Sequence, residues 1–494
     1  MSQPVLRLAL LASIVALGLL LAGCDCNNGT TPPADGLSDG GLDGKPDLDP
    51  NAVRPGMLGR HSALAAHGGK LMASAYESKY GDLVLVSASV GGLSATTVEA
   101  VDGVPATTPP SPGDYRDGIS DPGDDVGQDT DIVVNADGNP MISYRDLTNR
   151  SLKLARRLDG TWSVHTVQKP ADDKEVVGRY TSLILVDGKP AIAYLVLNIT
   201  DGPGRFKSEL RWAAANTASP GAGADWAISA IDSGPMTCQN LCAGDEACAI
   251  QQDSSTKCEK TSTGCNPQCA STEACIGGAC KTILPEVKYT DVPNATGLWP
   301  SAVVAGGSPV VLYHDRVQGR LKGASLQGGT WTTAVVQGTG SENVGAFTSA
   351  AVDSANTVHV VYQDAARYTL HYVQVDPATL QPKVSEVIDD GVRKDGLHPV
   401  GADSATLVDP TGKIRVVYQD TQNTDLLTAV RNGPGSWSPK TANDPDLGRL
   451  LKGGAKGYGF YSDLVLDGGK VYGSTFYYDQ SANPKGGLEL FEVP

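Results

Sequence analysis

At 494 residues the chain is long for one ordinary domain, yet 58 glycines, 31 prolines and a 40% hydrophobic content fit a globular chain that turns often. Its formal net charge of −16 repels a phosphate backbone, which excludes nucleic acid as a partner.

Residues 1–23 read as a leader. Arg7 supplies a positive start, and the uncharged run from Leu8 to Leu21 is shorter than the ~20 residues a bilayer span needs. Leu21-Ala22-Gly23-Cys24 resembles the lipobox of bacterial lipoproteins. That resemblance implies cleavage before Cys24, lipid on its thiol, and a membrane-anchored protein of the cell envelope, at the outer membrane or the surface. Asp25 resembles the inner-membrane retention signal of enteric bacteria and points the other way. Residues 24–56 are dominated by Asp, Gly and Pro without apolar periodicity and read as a disordered tether. Their Asp-Gly spacing lacks a complete calcium loop.

From residue 57 onward one unit recurs seven times. A glycine opens it at Gly59, Gly127, Gly178, Gly297, Gly345, Gly401 and Gly459. A tyrosine follows at Tyr76, Tyr144, Tyr194, Tyr313, Tyr362, Tyr418 and Tyr477, and a leucine starts the third run at Leu83, Leu152, Leu210, Leu321, Leu370, Leu426 and Leu488. Four short apolar runs per unit predict an all-β fold, a seven-bladed β-propeller with one repeat per blade. The units divide into residues 57–232 for blades one to three and 284–494 for blades four to seven. A long acidic loop with Asp114, Asp117, Asp121, Asp124 and Asp125 separates the first two. The fourth run of the third unit closes at Trp226, in the place of Trp162, Trp331 and Trp437. The turns Asp159-Gly160-Thr161-Trp162, Gly328-Gly329-Thr330-Trp331 and Gly435-Ser436-Trp437 resemble the end of the Asp-box turn of sialidase-like propellers. The full S-x-D-x-G-x-x-W box is missing, so the resemblance covers blade layout.

Residues 233–283 interrupt the repeats with eight of the ten cysteines: Cys238, Cys242, Cys248, Cys258, Cys265, Cys269, Cys275 and Cys280. Their spacing is one four-cysteine unit written twice. Without C-x2-C pairs or nearby histidines, zinc is a poor fit, and export favours a small insertion stapled by four disulfides. It resembles the short cysteine-rich repeats of proteins secreted by predatory and soil bacteria. The pairing is open.

In a blade the start of strand one and the end of strand two meet on one rim. That rim carries the residue two after each opening glycine: His61, Asp129, Tyr180, Trp299, Phe347, Asp403 and Tyr461. Their varied chemistry suits a polar ligand with apolar faces, a glycan or an envelope ligand, with an aromatic plug as the structural alternative. The rim aspartates Asp146, Asp315, Asp364, Asp420 and Asp479 fit Asx turns. The sialidase resemblance implies a converging arginine cluster with Tyr, Glu and Asp. Arg60 and Arg179 stand beside the ring and Arg145 on the rim, and the remaining parts have no counterpart. No nucleophile elbow, H-E-x-x-H or phosphate loop is present, and no cofactor or catalytic residue is assigned. The expected function is a monomeric, membrane-anchored binding and adhesion module without enzyme activity. The alternatives are a divergent sialidase-like glycoside hydrolase using Asp129 and Asp403, and an envelope scaffold. His61 with both aspartates is also a conceivable metal site.

Overall fold

The computed structural model describes residues 57–104, 123–286, 292–438 and 448–494. The expected leader, Cys24, the tether, and Asp114, Asp117 and Asp121 lie outside the described residues. Of two compact units, residues 48–285 with 294–494 hold every element below; the other, 1–47 with 286–293, is described only at Glu286, Val292 and Pro293. Apart from a 3-10 turn at Gly223–Asp225, the described residues form strands and turns. Among them no helix is long and apolar enough to cross a membrane.

Each repeat folds into an antiparallel sheet. The inner strands of sheets 1 to 7 are Leu58–His67, Val126–Val134, Val176–Val186, Thr296–Ala305, Val344–Val352, Val400–Val408 and Lys456–Asp467. Sheets 1 to 5 have four strands in sequential order. Sheet 6 adds Arg449–Leu451 beside its third strand, and sheet 7 has three strands among the described residues, ending at Gly486–Val493. Each inner strand packs on the next, and that of sheet 7 packs back on that of sheet 1, which is a β-propeller layout.

The three repeated landmarks explain the seams between sheets. A Cβ on Gly127 would stand 2.8 Å from Leu83 Cα, and one on Gly59 would stand 3.0 Å from Leu488 Cβ. The opening glycine and the third-strand leucine are therefore two halves of one contact, made by each sheet on the sheet before it. Both glycines also have φ near +100° (Gly59 107°, Gly127 101°), which a side chain would strain. Gly459 departs from the rule and lies on Gln419.

Each seam carries its own apolar cluster, as between sheets 2 and 3 (Leu152, Leu154, Ile192, Tyr194) and between sheets 7 and 1 (Leu64, Leu71, Tyr472, Leu490). A fully buried leucine contributes roughly 1.5–3 kcal/mol, so the seams supply much of the stability. Six of the seven landmark tyrosines are buried there, Tyr477 being half-buried, and the hydroxyls of Tyr144, Tyr194, Tyr313 and Tyr418 reach the outer strand of the preceding sheet. Tyr144 donates to Asp102 Oδ2 at 2.7 Å, Tyr313 to Asp232 Oδ2 at 2.6 Å and Tyr418 to Asp389 Oδ2 at 2.8 Å. Trp226 opens its strand, Trp226–Met236, rather than closing a run. Its Nε1 donates to His165 Nε2 of sheet 2 at 3.0 Å, and Trp437 Nε1 to Glu386 Oε2 of sheet 5 at 2.7 Å.

Four disulfides are present, Cys238–Cys248, Cys242–Cys258, Cys265–Cys275 and Cys269–Cys280. Both halves pair first to third and second to fourth. Their four short strands form one sheet. It rests on sheet 3 through Phe206, packed with Cys238, Cys248 and Cys258, and through the Cys258 N–H donating to Gly204 O at 2.9 Å.

Candidate active site at the channel mouth

Every inner strand breaks register twice near its start. In sheet 2, Val126 pairs with Asp146, Gln128 with Arg145 and Asp131 with Ser143, so the inner strand spends two extra residues as bulges. The mouth residues sit in these bulges, and all seven adopt the left-handed conformation: φ is 53° at His61, 54° at Asp129, 51° at Tyr180, 46° at Trp299, 52° at Phe347, 46° at Asp403 and 49° at Tyr461. Such backbone costs on the order of 1 kcal/mol or more per non-glycine residue, so something must hold it.

Hydroxyls of the next residue do so. Ser62 Oγ donates to the Tyr461 carbonyl at 3.1 Å, Thr130 Oγ1 to that of His61 at 2.6 Å, Thr181 Oγ1 to that of Asp129 at 2.6 Å, and Ser404 Oγ to that of Phe347 at 3.0 Å. Each clamps the mouth residue of the preceding sheet. Six of the seven following residues are Ser or Thr, the exception being Pro300. That register was legible in the sequence and was missed.

One residue further along, a second belt closes the circle. Main-chain N–H groups of one sheet donate to side chains of the sheet before: Leu183 to Asp131 Oδ2 at 2.6 Å, Ala302 to Ser182 Oγ, Ala350 to Ser301 Oγ and Thr406 to Ser349 Oγ at 3.0 Å each, and Leu64 to Asp463 Oδ2 at 2.7 Å. Where Ala63 and Ala405 offer no acceptor, Asp131 and Asp463 turn Oδ1 to the N–H groups of Ile132 and Leu464, both at 2.7 Å. Burial raises the Asp131 carboxyl to about 7, with Asp463 adding repulsion, and the Asp463 carboxyl to about 6.

The mouth side chains meet as two arcs. The apolar arc packs Tyr180 at a tilt against Trp299 and Trp299 against Phe347, with ring centroids 5.5 and 4.8 Å apart, and His314 stacks on Trp299 at 5.7 Å. The polar arc joins Tyr461 to His61 (centroids 4.8 Å) and His61 Nδ1 to Asp129 Oδ1 at 3.8 Å. Arg179 Nε and Arg145 Nη1 face Asp129 Oδ2 at 3.7 and 3.9 Å. Asp403 accepts the Tyr461 main-chain N–H. The sequence therefore picked seven residues that do share one layer.

Burial sets the electrostatics. It lowers the His61 imidazole to about 4 against the pull of Asp129, helped by Arg60, Arg179 and Arg145, so the ring is neutral at neutral pH. It raises the Asp403 carboxyl to about 6 despite the Tyr461 N–H, and the Tyr180 hydroxyl to about 12. Asp129 Oδ2 and Arg145 Nε are buried and make no hydrogen bond, which leaves an acceptor and a donor open at the mouth. Guanidinium groups so near Asp129 disfavour a cation between His61 and the aspartates. The two groups of metal-type ligands that come together among the described residues are cysteines, all tied in disulfides.

The rim aspartates hold turns. Asp146 Oδ1 accepts the Asn149 N–H at 2.8 Å, Asp364 Oδ1 that of Ala366 at 3.0 Å, Asp420 Oδ1 that of Gln422 at 3.0 Å, and Asp479 Oδ1 that of Ser481 at 2.9 Å.

No protein-family model matches the chain, and no curated protein matches it. Among solved structures it is similar to a polysaccharide lyase, Uly1, at 8% identity and a TM-score of 0.44, over 87% of this chain and 90% of that one. It is also similar to the GH93 α-L-arabinofuranosidase of Fusarium graminearum in complex with arabinobiose (12%, TM-score 0.37, 74% and 92% covered). A third is the α-L-arabinofuranosidase of Lactobacillus brevis (10%, TM-score 0.34, 74% and 90% covered). The expectation of a binding and adhesion module without enzyme activity is corrected: each of these proteins is an enzyme by name, as is the arabinanase of Bacillus subtilis. Such scores leave the chemistry to be argued from this chain's own residues.

Proposed function

We propose that this protein hydrolyses glycosidic bonds at the mouth of a seven-bladed propeller. The observation that carries the reading is the contrast between two mouth carboxylates. Asp403, with its carboxyl at about 6, retains a proton close to neutral pH. Asp129 lies among guanidinium groups, with Oδ2 open. In this scheme Asp403 gives its proton to the leaving-group oxygen as the glycosidic bond breaks. A water attacks the anomeric carbon, and Asp129 takes the water's proton. The two stand three seams apart by way of sheets 1 and 7, which favours room for a water and inversion of the anomeric configuration. Trp299 and Tyr180 offer flat faces to the sugar ring, each contributing on the order of 1 kcal/mol beyond area burial.

The closed circle of seams supports the seven-blade count, with residues 57–232 and 284–494 forming blades around the 233–283 insertion. The lipobox-like segment supports a lipid on Cys24 and an enzyme tethered in the bacterial envelope.

A panel of chromogenic glycosides and polysaccharides, read by released aglycone and by reducing ends, tests the reading. Turnover by the natural sequence and its loss in Asp403→Asn are expected. If no glycosidic bond is cut under any condition from pH 4 to 8, the proposal fails.

A further inference from the structure

We infer that the mouth takes a negatively charged saccharide, one bearing carboxylate or sulfate groups. This rests on the mouth being a saccharide site and names the class of sugar. The chain carries a net charge of −16, yet the sign reverses at the mouth. Arg60, Arg145 and Arg179 all act on His61, and Arg316 acts on Tyr180 and His314. Four guanidinium groups thus bear on one layer. The carboxylate that faces them at close range is Asp129, whose side chain is 4% exposed and stands 3.7 and 3.9 Å from two of them. Asp125, also near Arg145, already accepts the Tyr76 hydroxyl at 3.0 Å.

Those ion-pair distances are too long for hydrogen bonds. Asp129 Oδ2 therefore accepts none and Arg145 Nε donates none, although both atoms are buried. A buried guanidinium carries a desolvation cost until an anion meets it with hydrogen bonds. Burial correspondingly lowers the Arg145 pKa. An anionic group opposite Arg145, with a neighbouring hydroxyl donating to Asp129 Oδ2, satisfies both open atoms. The same sugar's apolar face lies toward Trp299 and Phe347. A cationic mouth in an acidic protein also steers such a ligand inward, while the rest of the surface repels it.

The test titrates the full chain with tetragalacturonate, a sulfated chondroitin tetrasaccharide and neutral galactotetraose, at low and high salt. The expected result is binding of an anionic probe about tenfold or more tighter than the neutral one, weakening as salt rises. The two anionic arms separate carboxylate from sulfate. Arg145→Gln should weaken anionic binding about tenfold and leave neutral binding within about twofold; Arg60→Gln serves if that variant does not fold. Equal or tighter binding of galactotetraose, salt-independent affinity, or equal losses for all three probes overturns the inference. Hydrolysis of neutral glycosides alone would leave the proposed activity standing while sinking this one. Neither binding nor cleavage of any saccharide sinks both.

Discussion

Along each inner strand the mouth residue and the residue two further on lie in adjacent layers, yet their chemistry differs. The mouth layer carries His, Asp, Tyr, Trp, Phe, Asp and Tyr; the belt layer carries only Ala, Ser and Asp. At five of the seven seams a belt Ser or Asp accepts a main-chain N–H from the neighbouring sheet, while Ala63 and Ala405 leave the other two to Asp131 and Asp463, so the belt is built from small residues. Four mouth residues, Tyr461, His61, Asp129 and Phe347, receive support through their carbonyls, from Ser62, Thr130, Thr181 and Ser404 respectively. Their side chains are released from structural duty. Repetition therefore marks where the architecture is made, and variation marks where a ligand is met.

The largest effect expected is on catalysis. Asp129→Asn and Asp403→Asn should each lower hydrolysis by roughly 10²–10⁴-fold while leaving the melting temperature at pH 8 within a few degrees. A variant that unfolds would show that the mouth does structural work. Next comes a seam: Gly127→Ala meets Leu83 Cα at 2.8 Å with φ at 101°. It should cost about 3 kcal/mol in chemical denaturation, whatever the ligand.

Tyr313→Phe removes the hydroxyl that donates to Asp232 and leaves that carboxylate to Lys322. The loss should be ~1–3 kcal/mol. At the mouth, Trp299→Gly should be more stable than Trp299→Ala by roughly 1 kcal/mol, because glycine accepts φ of 46° without strain. Equal stabilities would mean that the backbone at Trp299 is not left-handed.

The smallest effect is a slope. Asp463 is raised to about 6, so the folded chain keeps a proton that an unfolded carboxyl near 4 has released. Its stabilising contribution is full below about pH 4 and is lost as pH rises through about 6. Ala405→Ser with Asp463→Ser offers the same two N–H groups to neutral serines, in the manner of Ser301. The double variant should flatten the melting temperature between pH 4 and 8 relative to the natural sequence. An unchanged slope would place the titration elsewhere.

Much of this was readable in the chain. The Gly, Tyr and Leu landmarks fell on the inner, second and third strands, because each fills a position with no tolerance for another size. The mouth followed from counting two past each glycine. What escaped were contacts between chemically plain residues far apart in sequence: Thr181 with Asp129, Asp463 with Leu64, Tyr144 with Asp102. A serine or alanine after a hydroxyl residue has no motif of its own until seven copies are aligned. Trp299 touches Tyr180, Phe347 and His314. Which aromatics face each other depends on ring geometry, which spacing does not encode.

The left-handed backbone at the seven mouth positions also makes this a scaffold for directed evolution. Glycine, asparagine and aspartate are the inexpensive starting letters at such φ values, and the clamps on the backbone come from neighbours that a library would leave untouched. Randomising His61, Tyr180, Phe347 and Tyr461 while fixing each following hydroxyl should yield mostly folded variants. Randomising Ser62, Thr130, Thr181 and Ser404 at the same diversity should not, so the boundary between what can be recoded and what cannot runs between adjacent residues.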